Sequence, residues 1–185
     1  MSLHTSINPS SSPDQSSLSR LVWQMVVLLT LAFWLGGTLL LDAVIMPEMY
    51  AAGMMNAPDF ASAGYSIFWV FNRLELLCAG VVLTGIFALR HHFKSSQFKR
   101  WGLVLAALMM AIALFTTYWL TPEMSALGIH LSESEAAGAV PAAMDLMHGG
   151  YFILDFLKIA VGGTLVAICF RNISMLTASN DNVLV

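Results

Sequence analysis

The segment MHGGYFILDFLKIAVGGTLVAICFR, from Met147 to Arg171, decides how the rest of the chain is read. Its length suits the roughly 20 apolar residues that carry a helix across a hydrocarbon core about 30 Å thick, so it predicts a membrane-spanning helix. Asp155 and Lys158 lie inside it. At about 1.5 Å per residue they fall on the order of 12 and 16 Å below the end near Met147. Neither charge is expected to face lipid, because an ionisable group at that depth costs several kcal/mol unless it is paired or wetted. His148, Tyr151, Asp155, Lys158 and Gly162 recur at three- and four-residue steps and so form one polar stripe. The opposite face, with Ile153, Phe156 and Leu157, suits lipid.

The whole chain shares this character. Hydrophobic residues make up 58% and charged residues 10%, where a typical globular protein has about 25% charged. Mean hydropathy is +0.75. The bilayer is therefore the first partner, and a net charge of −3 argues against nucleic acid. Arg20, Arg90, Lys94, Lys99, Arg100 and Arg171 flank apolar runs on one side, while Glu48, Asp59, Glu123, Glu133, Glu135 and Asp145 fall on the connections at the other. The positive-inside rule places both termini and the middle loop in the cytoplasm. Cys78 and Cys169 sit in apolar runs and read as small core residues rather than a disulfide or a metal pair.

Four such runs predict an all-α membrane protein, an antiparallel four-helix transmembrane bundle. Residues 1–19, rich in Ser and Pro, read as a disordered cytoplasmic tail. The membrane domain covers 20–171, with spans at about 21–45, 65–89, 101–121 and 147–171, and 172–185 form a second tail. Pro47 is expected to end the first helix and Pro122 the third. Close helix approach is expected at Gly36, Gly37, Gly149, Gly150, Gly162 and Gly163.

The outer half of this bundle gathers the chemistry. Trp34, Thr38 and Asp42 recur every four residues and share a face. Asn72, Arg73 and Glu75 lie at a similar depth in the second span. Arg73 and Glu75 point about 200° apart, so each must look toward a different neighbour. The preferred pairing is Arg73 with Asp155 and Glu75 with Lys158, with Asp42 nearest the outer water; the crossed arrangement stays open. Such a network either fixes helix register alone or, with His148 and Tyr151 above it, lines a polar cavity that binds or passes a small solute or ion.

A second reading is metal handling. Met46, Met49, Met54 and Met55 in the first connection, with His130, Met144, Met147 and His148 around the second, offer soft ligands to Cu(I). The His91-His92 pair lies among cations and reads as interfacial. No HExxH, nucleophile elbow or phosphate-cradling loop is present. No catalytic activity and no cofactor are expected. Partners beyond the bilayer would be a second copy of the chain or a larger membrane complex.

Three segments carry a family resemblance: WLGGTLLLDAVIMPEMY (Trp34–Tyr50), AGYSIFWVFNRLELL (Ala63–Leu77) and MHGGYFILDFLK (Met147–Lys158). They resemble the first-span, second-span and last-span patterns of the transmembrane protein 205-like family. The resemblance covers most of Leu21 to Arg171 and implies a four-helix membrane domain without assigning chemistry. A weaker similarity, through the Gly36-Gly37 span ending at Pro47, runs to the copper resistance D family.

Overall fold

The computed structural model describes residues 15–54, 57, 60–90, 96–133 and 142–181, and every element in it is helical. In order these are α1 (Gln15–Leu40), a π-turn (Leu41–Ile45), α2 (Met46–Ala51), α3 (Phe60–Leu89), α4 (Ser96–Phe115), a second π-turn (Thr116–Leu120), α5 (Thr121–Glu133) and α6 (Ala142–Asp181). Four continuous helical stretches are long and apolar enough to cross a membrane: Leu18–Ala51, Ser62–Leu89, Lys99–Ile129 and Ala142–Arg171. They pack as an antiparallel bundle.

Neither proline ends its helix. In the first span the chain widens before Pro47: the Met46 N–H bonds to the Leu41 carbonyl, five residues back. The third span repeats the device, with the Thr121 N–H on the Thr116 carbonyl just before Pro122. A proline ring clashes with the carbonyl one regular turn behind it and donates no hydrogen bond. A π-turn admits one extra residue and relieves that clash, so the helix continues. The first span stops instead after Ala51, where Gly53 takes φ +69° and its N–H bonds to the Tyr50 carbonyl. The spans are consequently longer than proline placement predicts. At the other end α1 begins at Gln15 and α6 runs past Arg171 to Asp181, since neither flank holds a helix-breaking Pro or Gly. Residues 1–14 and 182–185, His91, His92, Lys94, Met55, Asp59 and Glu135 lie outside the described residues.

The core runs along the bundle axis through Val27, Leu31, Trp34, Ala79, Val82, Ile86, Ala106, Met109, Leu165 and their neighbours, and includes both cysteines, which are unpaired. Leu29, Phe33, Leu77 and Phe156 face outward, as lipid requires. Of the six glycines expected at close contacts, only two make one. A Cβ on Gly162 would lie 2.7 Å from Leu35 Cδ2, and one on Gly37 3.3 Å from Phe71 Cε2. Gly36, Gly149, Gly150 and Gly163 have nothing within 4 Å. The tightest approach is at Gly85, where a Cβ would overlap Val27 Cγ2.

The two hairpins repeat one another. Met46-Pro47-Glu48-Met49 follows the first π-turn and Thr121-Pro122-Glu123-Met124 the second. At matching distances before the proline, Val27, Leu31, Trp34, Thr38 and Leu41 are buried in the first span, and Gly102, Ala106, Met109, Ala113 and Thr116 in the third. The returning helices match too: Asn72, Glu75, Cys78, Ala79, Val82 and Ile86 are buried in α3, and Asp155, Lys158, Val161, Gly162, Leu165 and Cys169 in α6. Contacts run α1 to α3 and α4 to α6 within hairpins, then α3 to α4 and α5, and α6 to α1, between them. The bundle is thus a ring of two like hairpins, and its polar layer lies about midway along the spans.

Candidate functional site

The polar layer is built from four elements at one depth. Glu75 lies on the inner face of α3, roughly 20 Å from the start of its span at Ser62. Its side chain is fully covered. Lys158 Nζ on α6 donates to Glu75 Oε1 at 2.6 Å and lies 2.6 Å from Asp155 Oδ1, one helical turn back. Trp34 Nε1 donates to the same Oε1 at 2.9 Å, and Thr38 Oγ1 does so at 3.3 Å. One carboxylate oxygen thus collects an ammonium, an indole and a hydroxyl. The other, Oε2, has no hydrogen-bond partner.

Asp42 joins from the π-turn of the first span. Its carboxyl lies near that of Asp155. Asp42 Oδ2 and Asp155 Oδ2 are nevertheless buried without a donor. Tyr151, one turn from Asp155, is close enough to feel the charges of Asp155, Glu75 and Asp42, and its hydroxyl also lacks a partner. Its ring packs edge-on against Phe68 at 5.4 Å between centroids. The cluster therefore holds three carboxylates and one ammonium, which pairs with Glu75 and Asp155, and an unpartnered phenol beside them. Beneath Glu75, between α1 and α3, a crevice of about 20 Å³ lined by Phe33, Trp34, Gly37, Phe71, Leu74, Glu75 and Cys78 has room for about one water molecule.

Across the layer, the counterparts of Asp155 and Asp42, one on each hairpin, are neutral and bonded to each other's surroundings. Asn72 stands where α6 has Asp155, and its Nδ2 donates to Thr121 Oγ1 at 2.7 Å. Thr117 stands where the first span has Asp42, and its hydroxyl lies 2.6 Å from the Ala113 carbonyl and 3.5 Å from that of Asn72.

Two of the expected members are elsewhere. Arg73 does not pair with Asp155. It is exposed on the outer face of α3, its guanidinium 3.7 Å from the centroid of the Trp69 ring, because a residue two positions from the inward Glu75 is turned most of the way round the helix. His148 is exposed as well, with Nδ1 2.9 Å from the Met144 carbonyl, so it does not stand over Tyr151. A ring nitrogen held by its own helix no longer needs the interior. Asp42 is half-buried. Missing from the sequence reading were the roles of Trp34 and Thr38 as donors to Glu75, although their shared face with Asp42 already marked them. Gln24, buried with Nε2 unpartnered nearer the termini, carried no signal beyond being polar in an apolar run.

Among the described residues no group of three or more His, Cys, Asp or Glu is arranged to hold a metal ion. Of the soft-ligand candidates, Met46, Met49, Met144 and Met147 are half-buried near the hairpin ends, and the His130 side chain lies outside the described residues. A family model described as a domain of unknown function (DUF4149) matches residues 29–129, from the first span through the third. No curated protein and no solved structure matches the chain. The matched segment supplies Trp34, Thr38, Asp42, Asn72 and Glu75; Tyr151, Asp155 and Lys158 come from beyond it.

Proposed function

The chain belongs to the DUF4149 family, and we propose that it is a non-enzymatic membrane protein that binds a cation, a proton or a small monovalent ion, in the mid-span cluster of Asp42, Glu75, Tyr151, Asp155 and Lys158. One observation carries the reading: two carboxylates share one ammonium with a third, Asp42, in the same layer, and Asp42 Oδ2, Glu75 Oε2, Asp155 Oδ2 and Tyr151 Oη are buried without protein partners. Ionisable groups inside a membrane mark sites by default, and uncompensated negative charge there recruits positive charge. A purely structural ion pair needs only Glu75 and Lys158. Asp42 and Asp155 add acceptors facing acceptors, which a proton or cation between them would join.

The clustering of basic residues beside the termini and middle loop supports an orientation with the hairpin ends outside. The three quoted segments support placing the chain with transmembrane protein 205-like proteins within the family.

The test is thermal unfolding of the detergent-purified protein in Na+, K+ or Li+ and across the neutral to mildly acidic range. A ligand at 100 times its Kd raises stability by about 2.7 kcal/mol. The wild type should respond to one cation, and an Asp42→Thr/Asp155→Asn variant, which copies the neutral half, should fold but lose that response. Identical behaviour of the two proteins would overturn the proposal.

A further inference from the structure

Arg73 is the anomaly of the outer surface. Its Cα lies about 16 Å along the span from Ser62. The span is longer than a hydrocarbon core of about 30 Å requires, which leaves Arg73 on the order of 10 Å inside the apolar zone. It faces away from the bundle, and among the described residues it makes no ion pair. Asp42, Glu75 and Asp155 are turned inward on other faces.

The second hairpin shows what ordinary contact with lipid looks like here. Where α3 has Tyr65, Trp69 and Arg73, the matching positions of α6 hold His148, Phe152 and Phe156, and the last two are exposed phenylalanines. On α3 the three residues are spaced by four, all exposed, and form a track from the hairpin end of the span inward. The guanidinium lies over Trp69, one turn nearer that end, so the long stem rises toward the headgroups while the ring covers one face of the charge. The edges of the guanidinium, with their N–H donors, stay open to the lipid side. A phosphodiester is the anion that every phospholipid presents at that boundary, and guanidinium binds it through paired N–H groups.

We propose that Arg73 and Trp69 form a lipid-facing site for the phosphodiester of a phospholipid in the leaflet at the hairpin end. The occupant is an annular lipid held by its headgroup, with its chains along Val70 and Leu77, both exposed on α3. This site shares no residue with the cation cluster and stands whether or not that cluster binds an ion.

Native mass spectrometry of the protein in mild detergent, stripped of lipid and titrated with phosphatidylglycerol, tests it. The wild type should retain one lipid per chain at low excess. Arg73→Gln should weaken retention about tenfold, the scale of one charge-assisted contact, and Trp69→Leu should weaken it less. Both variants alter exposed positions, so an unchanged unfolding temperature shows that the fold is kept. Equal retention by wild type and Arg73→Gln overturns the proposal. So does equal competition by inorganic phosphate, which would make the site a general anion site. A wild-type dimer that Arg73→Gln converts to monomer also overturns it, by assigning Arg73 to a second copy.

Discussion

The two hairpins of this protein bury the same positions but differ in what they place there. In one half of the polar layer Asn72, Thr117 and Thr121 are neutral and bond to each other and to their own helices, leaving only the Asn72 Oδ1 without a donor. In the other half, Asp155 and Asp42 occupy the matching places and leave oxygens without partners. Between them, Glu75 and Lys158 hold matching positions on α3 and α6 and form the ion pair that joins the hairpins. A layer whose neutral side leaves a single amide oxygen without a donor has no structural need of carboxylates on the other side. The charged half is the part that asks for a function.

The largest effect is expected at the joint itself. Lys158→Met leaves Glu75, Asp155 and Asp42 without a cation in the apolar interior, which should lower stability by about 3 to 5 kcal/mol and collapse the folded yield in detergent. Pairing it with Glu75→Leu removes the acceptor that Lys158, Trp34 and Thr38 share, and should recover part of that loss. Size-exclusion yield and unfolding temperature report both. If the double variant were no better than Lys158→Met, the pair would not be what binds the hairpins.

Packing differs between the hairpins as well, and gives the next largest effect. Gly85 admits Val27 so closely that any Cβ must displace it, whereas Gly163 on the returning helix of the second hairpin has nothing within 4 Å. Gly85→Ala should therefore destabilise by about 1 to 3 kcal/mol, while Gly163→Ala should be neutral or slightly stabilising through helix propensity. Comparable unfolding temperatures for the two would mean that the α1–α3 contact gives way more readily than its geometry requires.

Much of this was legible in the chain. Four apolar runs of the right length gave the bundle, and matching depth alone brought Glu75 to Lys158. The 200° between Arg73 and Glu75 was legible, but it suggests a second partner for Arg73 only if both residues face protein: once Glu75 faces inward, that rotation of about 200° turns Arg73 to lipid, whatever its charge. Proline was read as a stop because a regular α-helix cannot hold it, but a π-turn one residue earlier removes the clash, and no local propensity announces that turn. The hairpin repeat was printed in the two Pro-Glu-Met triplets. It shows only when the returning helices are aligned by burial, since their residues are chemically unlike.

The smallest effect comes from exchanging residues between the halves, and its asymmetry is what matters. Asn72→Asp puts a carboxylate beside Thr117 and Thr121 and removes the donor to Thr121 Oγ1, so about 1 to 3 kcal/mol should be lost. Asp155→Asn removes one of the two carboxylates paired with Lys158, while the ammonium keeps its 2.6 Å contact with Glu75. The lost pairing and the relieved crowding oppose each other, and the net change should stay within about 1 kcal/mol. Equal losses in the two exchanges would mean that each half is tuned to its own residues for stability alone. A costly Asn72→Asp beside a nearly silent Asp155→Asn would mean that the fold tolerates losing Asp155, and that the carboxylate is kept for what it binds.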